Sequence, residues 1–448
     1  MNKNIHKVAI DALAQNKKKI LYIVEAMGGG VFTYIVDLSN ELVNEYDIYI
    51  AYAVRPQTPK NYRDYFDKRI HLIEVKNFGR AISLTKDFKA FAEVRSIAKR
   101  VKPDIIHLHS SKAGALGRVA LNGRKTPIFY TPHGYSFLME NYKPMKRRLF
   151  KLIEWVCAKF NCTTISCSKG EHQETLKLTK RAEYVNNGVN IKDLQALIDA
   201  TEVSTEYSFT VFTLGRINYQ KNPELFNKVA EALPEVRFCW IGDGELREYL
   251  KSENIEITGW VERTEALKYS IPADVFLLTS SWEGLPISLL EAMYMKKPCI
   301  VSNVIGNRDV IKNDVNGFIC DKAEDYVAAI KKCREEMCRD DIGKCADNAH
   351  PESKTQLNGD VLSNGVVHQI VERAYTDILS EYNTKAMAEK YSQIYKRALK
   401  YFEAGVGGVH YEVVIIFSET IYADRNIINN PSLEEIPFTQ IAYRKAVA

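Results

Sequence analysis

At 448 residues the chain is too long for one ordinary domain and fits two α/β domains of roughly 150–200 residues each. Apolar residues make up 46% and charged residues 26%, the balance of a soluble globular protein, and no apolar run approaches the length of a membrane span. Lysine plus arginine (61) exceeds aspartate plus glutamate (56) by only five, which argues against a nucleic-acid partner and permits a local basic patch. The opening Met-Asn-Lys-Asn-Ile-His has no apolar signal-peptide core, so a cytoplasmic location is expected. The nine cysteines sit mostly in apolar strands and helices (Cys167, Cys239, Cys299), as reduced buried thiols do. Cys333, Cys338, Cys345 and His350 match no common zinc spacing, so no metal and no cofactor is expected.

In chain order, short apolar runs at 19–24, 47–53, 70–75, 104–109, 127–131 and 163–168 alternate with helical patterns. Such alternation predicts a parallel sheet with helices on its faces. The pattern breaks around 186–189, and 191–207 reads as a connector. It restarts at 208–214, 236–241, 274–279, 299–302 and 317–320. The expected fold is therefore α/β, two Rossmann-like doubly wound domains with a ligand cleft between them, beyond the carboxyl ends of the strands. The expected division is 1–190 for the first domain, 191–375 for the second, and a helix over 376–403 returning to the first. The polar stretch 339–366 reads as a long loop or insertion, and the tail 404–448, with a strand-like run at 411–418, is assigned to neither domain.

Gly28, Gly29 and Gly30 follow the first strand and precede a helix with Val31, Ile35, Leu38 and Leu42 on one face. Glycines there let a backbone approach a ligand at a helix start that favours anions; a purely structural tight turn would use them as well. This is not the dinucleotide fingerprint, because its third glycine would fall at Thr33 and the second strand lacks the ribose-binding acid. Thr131-Pro132-His133-Gly134 follows another strand at the same edge and can present His133 to a substrate oxygen. Ser110, Ser111 and Lys112 are expected to extend the fourth strand's end into the cleft. In the second half, Arg216 and Lys221 lie five apart on the loop after a strand and can converge on one diphosphate.

The most informative stretch runs from Ser280 to Met293. A strand ends at Thr279; a loop carries Glu283, Gly284 and Leu285; Pro286 is placed in the first turn of a helix that continues through Ile287 with Leu289, Leu290 and Met293 inward. The free amides at that helix start can hold phosphate. Glu291 leans back toward them, so two carboxylates can each accept from vicinal hydroxyls.

The order and spacing of these segments resemble the retaining glycosyltransferases of the GT-B fold, in the large family-4 group. The matching pieces are the early glycine loop, Pro-His-Gly, Asn187-Gly188-Val189, Gly-Arg…Lys-Asn-Pro, Gly242-Asp243-Gly244-Glu245, Gly259-Trp260-Val261, the pair Glu283 and Glu291, and Gly306-Asn307-Arg308-Asp309 with Asn316-Gly317. The resemblance covers 18–332 and resumes at 371–399. It implies that Arg216 and Lys221 hold a nucleotide-sugar diphosphate, and that Glu283 and Glu291 bind hexose and ribose hydroxyls. It further implies that His133 sits beside the transferred sugar, that backbone around Trp260 and Val261 reads the base, and that Gly28–Gly30 closes over the phosphates. It implies retention of configuration without a metal. A UDP-linked donor and a glycan or lipid-linked acceptor of bacterial surface polysaccharide synthesis, such as a capsule, are the expected partners. A sugar-nucleotide epimerase or hydrolase of related fold, and a non-catalytic nucleotide-binding scaffold, are the alternatives.

Residues 143–160 add an amphipathic helix, with Leu149, Ile153, Val156 and Phe160 at helical spacing and Lys146, Arg147, Arg148 and Lys151 clustered at one end. A packed helix with a solvated basic end and a peripheral contact with anionic membrane both fit this pattern.

Overall fold

The computed structural model describes residues 17–55, 58–79, 84–202, 208–340 and 365–404. Two parallel sheets organise it. The first contains β1 (Lys19–Met27), β2 (Asp47–Val54), β3 (His71–Glu74), β4 (Ile105–His109), β5 (Ile128–Thr131), β6 (Thr163–Ser166) and β7 (Ala182–Tyr184), in the order β3-β2-β1-β4-β5-β6-β7. The second contains β8 (Thr210–Leu214), β9 (Arg237–Ile241), β10 (Ile255–Ile257), β11 (Val275–Leu278), β12 (Cys299–Ser302) and β13 (Phe318–Cys320), in the order β10-β9-β8-β11-β12-β13. β4, β5, β11 and β12 are buried along their whole length, which is why they read as continuous apolar runs. β7 and β10, which the sequence reading lacks, are three-residue edge strands carrying Glu183 and Glu256. An edge strand covered on fewer sides needs no such run.

Strand order reverses between β1 and β4 in the first sheet and between β8 and β11 in the second. At those switch points the carboxyl ends open a crevice. The glycine loop leaves β1 there, the His133 loop leaves β5, the Arg216 loop leaves β8 and the Glu283 loop leaves β11.

The region between and after the sheets corrects three expectations. The expected connector contains a helix, Ile191–Asp199, capped by Asn190 Oδ1, which accepts from the Asp193 amide at 3.2 Å. The expected helix over 376–403 is two helices, Val366–Ser380 and Thr384–Glu403. The first packs on the second sheet's cores through Val367, Ile370 and Ile378, so 376–380 stay with that domain. The second begins where Asn383 Oδ1 accepts from the Ala386 amide at 2.8 Å, and buries Met387, Tyr391 and Tyr395 in the first core. The ends of the expected polar loop are also helical, in Ala323–Asp340 and from Val366 onward. Its middle, 341–364, with Cys345 and His350, the tail from 405 and the side chain of Cys338 lie outside the described residues.

Two chain passages link the domains, and they lie side by side. The Val189 amide donates to Tyr382 O at 2.9 Å, and the Thr384 amide returns to Val189 O at 3.1 Å. Gly188 permits this approach, since a Cβ there would stand 2.3 Å from the Asn383 backbone.

Candidate active site

The loop after β11 is built around one carboxylate. Glu283 Oε1 accepts from Lys221 Nζ at 2.7 Å and from Ser280 Oγ at 2.7 Å, while Oε2 accepts from Gln220 Nε2 at 3.1 Å. Backbone ties hold the two loops in register: the Ser281 amide donates to Gln220 O and Thr279 Oγ1 donates to Lys221 O. Three donors leave about one of the carboxylate's four lone-pair positions for a further hydroxyl. Lys221 spends one N–H on Glu283 and keeps two for an anion. Its chain lies against Gly215, next to Arg216. Arg216 Nε donates to Glu245 Oε2 at 2.8 Å in a largely exposed pair, an interaction that an incoming phosphate can displace.

Pro286 is the N-cap of the helix Ile287–Tyr294 rather than a member of its first turn, because its extended backbone carries the chain out of the loop. Leu285 is buried, and its carbonyl accepts from Asn187 Nδ2 at 2.8 Å across the domain boundary. Leu289, Leu290 and Met293 face the core, while Ile287 packs against the first domain. On the same helix Glu291 Oε1 accepts from Arg263 Nη2 at 2.7 Å. Val261 is partly buried against the second core, whereas Trp260 is 63% exposed, an aromatic face free to meet a base.

From the first domain, the His133–Gly134 loop meets the Glu283–Gly284 loop. A Cβ on Gly284 would lie 3.2 Å from the Gly134 amide nitrogen and 3.0 Å from Cys167 Sγ, so only glycine lets the loops close to this distance. His133 has a left-handed backbone, φ 55. The loop is pinned by the Gly134 amide donating to buried Glu171 Oε1 at 2.7 Å. His133 Nε2 lies 3.1 Å from His109 Nδ1, and the Tyr34 ring meets it edge-on. Burial pushes His133 down to about 3 and holds His107 and His109 well below their usual range, so the cluster is neutral. Gly29 and Gly30 open the helix Gly29–Leu42; a Cβ on either meets nothing within 4 Å, so the space above this helix start is clear. Lys112, expected at the cleft, is instead tied to Asp87 Oδ1 at 2.7 Å, because Ser111 already begins a helix that turns it away.

Of the expected residues, Lys221 and Glu283 are in direct contact and the His133–Gly134 loop meets the Glu283–Gly284 loop, while Lys112 is turned away. Sequence reasoning named Ser280, Asn187 and Glu245 only as parts of motifs, without a role, and gave none to Gln220, Arg263 or Asp37. Ser280 and Gln220 adjoin motif residues and were within reach; the others act across 28 residues or more. Among the described residues, no group of three or more His, Cys, Asp or Glu is placed to hold a metal.

Residues 28–193 match the family described as Glycosyltransferase Family 4, and residues 195–347 match the family described as Glycosyl transferases group 1. An Escherichia coli UDP-Gal:alpha-D-GlcNAc-diphosphoundecaprenol alpha-1,3-galactosyltransferase is 33% identical over 287 residues, 57% of this chain and 72% of the relative. A Campylobacter jejuni alpha-1,4-N-acetyl-D-galactosaminyltransferase acting on an undecaprenol-diphosphate-linked glycan is 26% identical, over 70% of this chain and 87% of its own. Among solved structures, the Anabaena HepE protein in complex with UDP and glucose superposes with a TM-score of 0.60 at 15% identity, covering 85% of this chain and all of that one. Sucrose-phosphate synthase from Thermosynechococcus elongatus reaches 0.66 at 15% identity, over 87% of this chain and all of that one, a likeness of fold. With two Rossmann-like sheets, both halves matched and a relative one-third identical over most of its length, the chain belongs to the GT-B glycosyltransferases of the family-4 group.

Proposed function

We propose that this glycosyltransferase moves a sugar from a UDP-sugar to a lipid-linked glycan acceptor in bacterial surface polysaccharide synthesis, with retention of anomeric configuration and without a metal. The observation that carries the reading is the Lys221–Glu283 pair, with Ser280 and Gln220 fixing the carboxylate, at the switch point of the second sheet. Lys221, Arg216 and the amides at the start of Ile287–Tyr294 neutralise the departing nucleotide diphosphate; this electrostatic stabilisation supplies most of the rate. Glu283 accepts from the hexose hydroxyls and orients Lys221. Glu291 accepts from the ribose, Trp260 and Val261 receive the base, and Gly28, Gly29 and Gly30 cover the phosphates. Neutral His133 donates or accepts beside the sugar without adding charge. Glu283 and Glu291 are engaged by the donor in this scheme, and the acceptor proton leaves to a donor phosphate oxygen. The galactosyl donor and the diphosphoundecaprenol acceptor named for the E. coli relative support the choice of substrates.

The lipid end of such an acceptor lies in a membrane, and the helix Pro144–Cys157 suits that surface. Only Glu154 and Cys157 of this helix are buried. Met145 (82% exposed), Leu149 (54%) and Trp155 (45%) stand outward beside Lys146, Arg148 and Lys151. No helix among the described residues is long and apolar enough to cross a membrane; the contact proposed is a peripheral one through the outer face of this helix.

The test is an assay of purified protein with UDP-galactose, UDP-glucose and UDP-N-acetylglucosamine against a GlcNAc-diphospho-lipid, with and without EDTA. An α-linked product, formed equally in EDTA, is expected. A β-linked product overturns retention, and loss of activity in EDTA that Mg²⁺ or Mn²⁺ restores overturns metal independence.

A further inference from the structure

Arg263 opens the helix Arg263–Ser270, three residues after the exposed Trp260. Its Nη2 holds Glu291 Oε1 at 2.7 Å, and among the described residues no other donor reaches that carboxylate. Glu291 is 17% exposed at its side chain and Arg263 32%. Across the cleft stands Asp37, on the first domain's helix Gly29–Leu42 and only 5% exposed. Asp37 lies in the field of Arg263, with Glu291 and Asp193 as neighbouring acids and Asn190 as a neutral donor. Arg263 thus holds the second domain's Glu291 by direct contact, with the first domain's Asp37 near enough to feel its charge. Its planar fork of N–H groups fixes the direction of the bond to Glu291, which a lysine does not do. A partly exposed ion pair contributes little to stability, so the arrangement is better explained by what it orients.

We propose that Arg263 is a positioning residue for donor binding: it clamps Glu291 by one oxygen, leaving the other aimed at the ribose hydroxyls of the nucleotide. This rests on Glu291 as the ribose ligand. Without the clamp, Glu291 would be a carboxylate on a flexible stem that must be ordered afresh each time nucleotide binds.

Titration calorimetry on the full chain with UDP and with 2′,3′-dideoxy-UDP separates the two claims; the GDP pair serves if GDP is the tighter ligand. Wild type is expected to prefer the ribose form by roughly tenfold or more, the worth of a hydrogen bond to a charged group. Glu291→Gln should abolish that preference. Arg263→Gln should cut it to about threefold or less while leaving dideoxy affinity and the thermal midpoint near wild type, and Arg263→Lys should restore part of it. If Arg263→Gln keeps the full preference, or weakens both ligands equally, while Glu291→Gln loses it, the clamp is overturned and the ribose site stands. A preference that survives Glu291→Gln, or failure of all four ligands to bind, overturns both.

Discussion

Lys221 and Glu283 are each the other's partner and, in the proposed reaction, each a ligand of the donor. Lys221→Ala should therefore lower kcat/KM by roughly a hundredfold to a thousandfold, the scale of losing one transition-state donor. The fold should persist, since Ser280 and Gln220 still satisfy Glu283. Initial-rate kinetics with a parallel melting curve would check this, and wild-type kcat/KM would remove Lys221 from the site. Asp37 behaves differently. Burial pushes its carboxyl up to about 7, against the pull of Arg263 and Asn190. Between roughly pH 4 and 7 the unfolded chain loses this proton while the folded chain keeps it, so native stability falls as pH rises through that window and levels off above it. Asp37→Asn mimics the protonated form. Its unfolding free energy should match wild type near pH 4 and exceed it by pH 8, by up to about 4 kcal/mol for a shift of this size. A difference that is flat with pH would show that Asp37 ionises normally in the folded protein.

Among the elements, the helix Pro144–Cys157 is unusual in how little of it is buried. It is held by Glu154, whose carboxylate accepts from Arg118 Nη2 at 2.6 Å and from the Tyr130 hydroxyl at 2.9 Å inside the first domain. Removing one partner of a buried pair strands the other charge, so Glu154→Ala should cost about 3–5 kcal/mol in urea unfolding. Changes on the outer face should do the reverse: Leu149→Asp with Trp155→Asp should leave the unfolding free energy in urea within about 0.5 kcal/mol of wild type and abolish flotation with phosphatidylglycerol vesicles. Binding by wild type should fall with added salt, because Lys146, Arg148 and Lys151 contribute by charge. Equal flotation of wild type and the double variant would assign the apolar face to something other than lipid.

At the scale of the molecule, the last described helix, Thr384–Glu403, crosses back to complete the first domain. The Tyr391 ring packs among Tyr34, His107 and Tyr395, and Tyr34 donates to the Tyr391 hydroxyl at 2.6 Å. Tyr391→Ala should cost about 3–5 kcal/mol by opening a cavity, and Tyr391→Phe about 1 kcal/mol by losing a buried hydrogen bond. Equilibrium unfolding measures both. Near-neutral behaviour of the alanine variant would mean that the helix is dispensable to the first domain. The same helix stands behind Tyr34 and His133, so its docking also supports the face that meets Glu283.

Periodicity and motif order made much of this legible in advance. Eleven strand positions, the two tandem sheets and the loops carrying Gly28–Gly30, His133, Arg216 and Glu283 follow from apolar runs and their punctuation, because burial in a parallel sheet and tight turns at strand ends leave local marks. Three kinds of feature left none. Edge strands β7 and β10 are too short and polar to register. The apolar stripe of 143–160 had two readings, and packing leaves it exposed. The pairs Lys221–Glu283, Arg263–Glu291 and Arg118–Glu154 join residues 62, 28 and 36 positions apart. A side chain's local sequence states what it can bind; which charge stands opposite it is set by how distant strand ends are brought together, and that is a property of the folded chain alone.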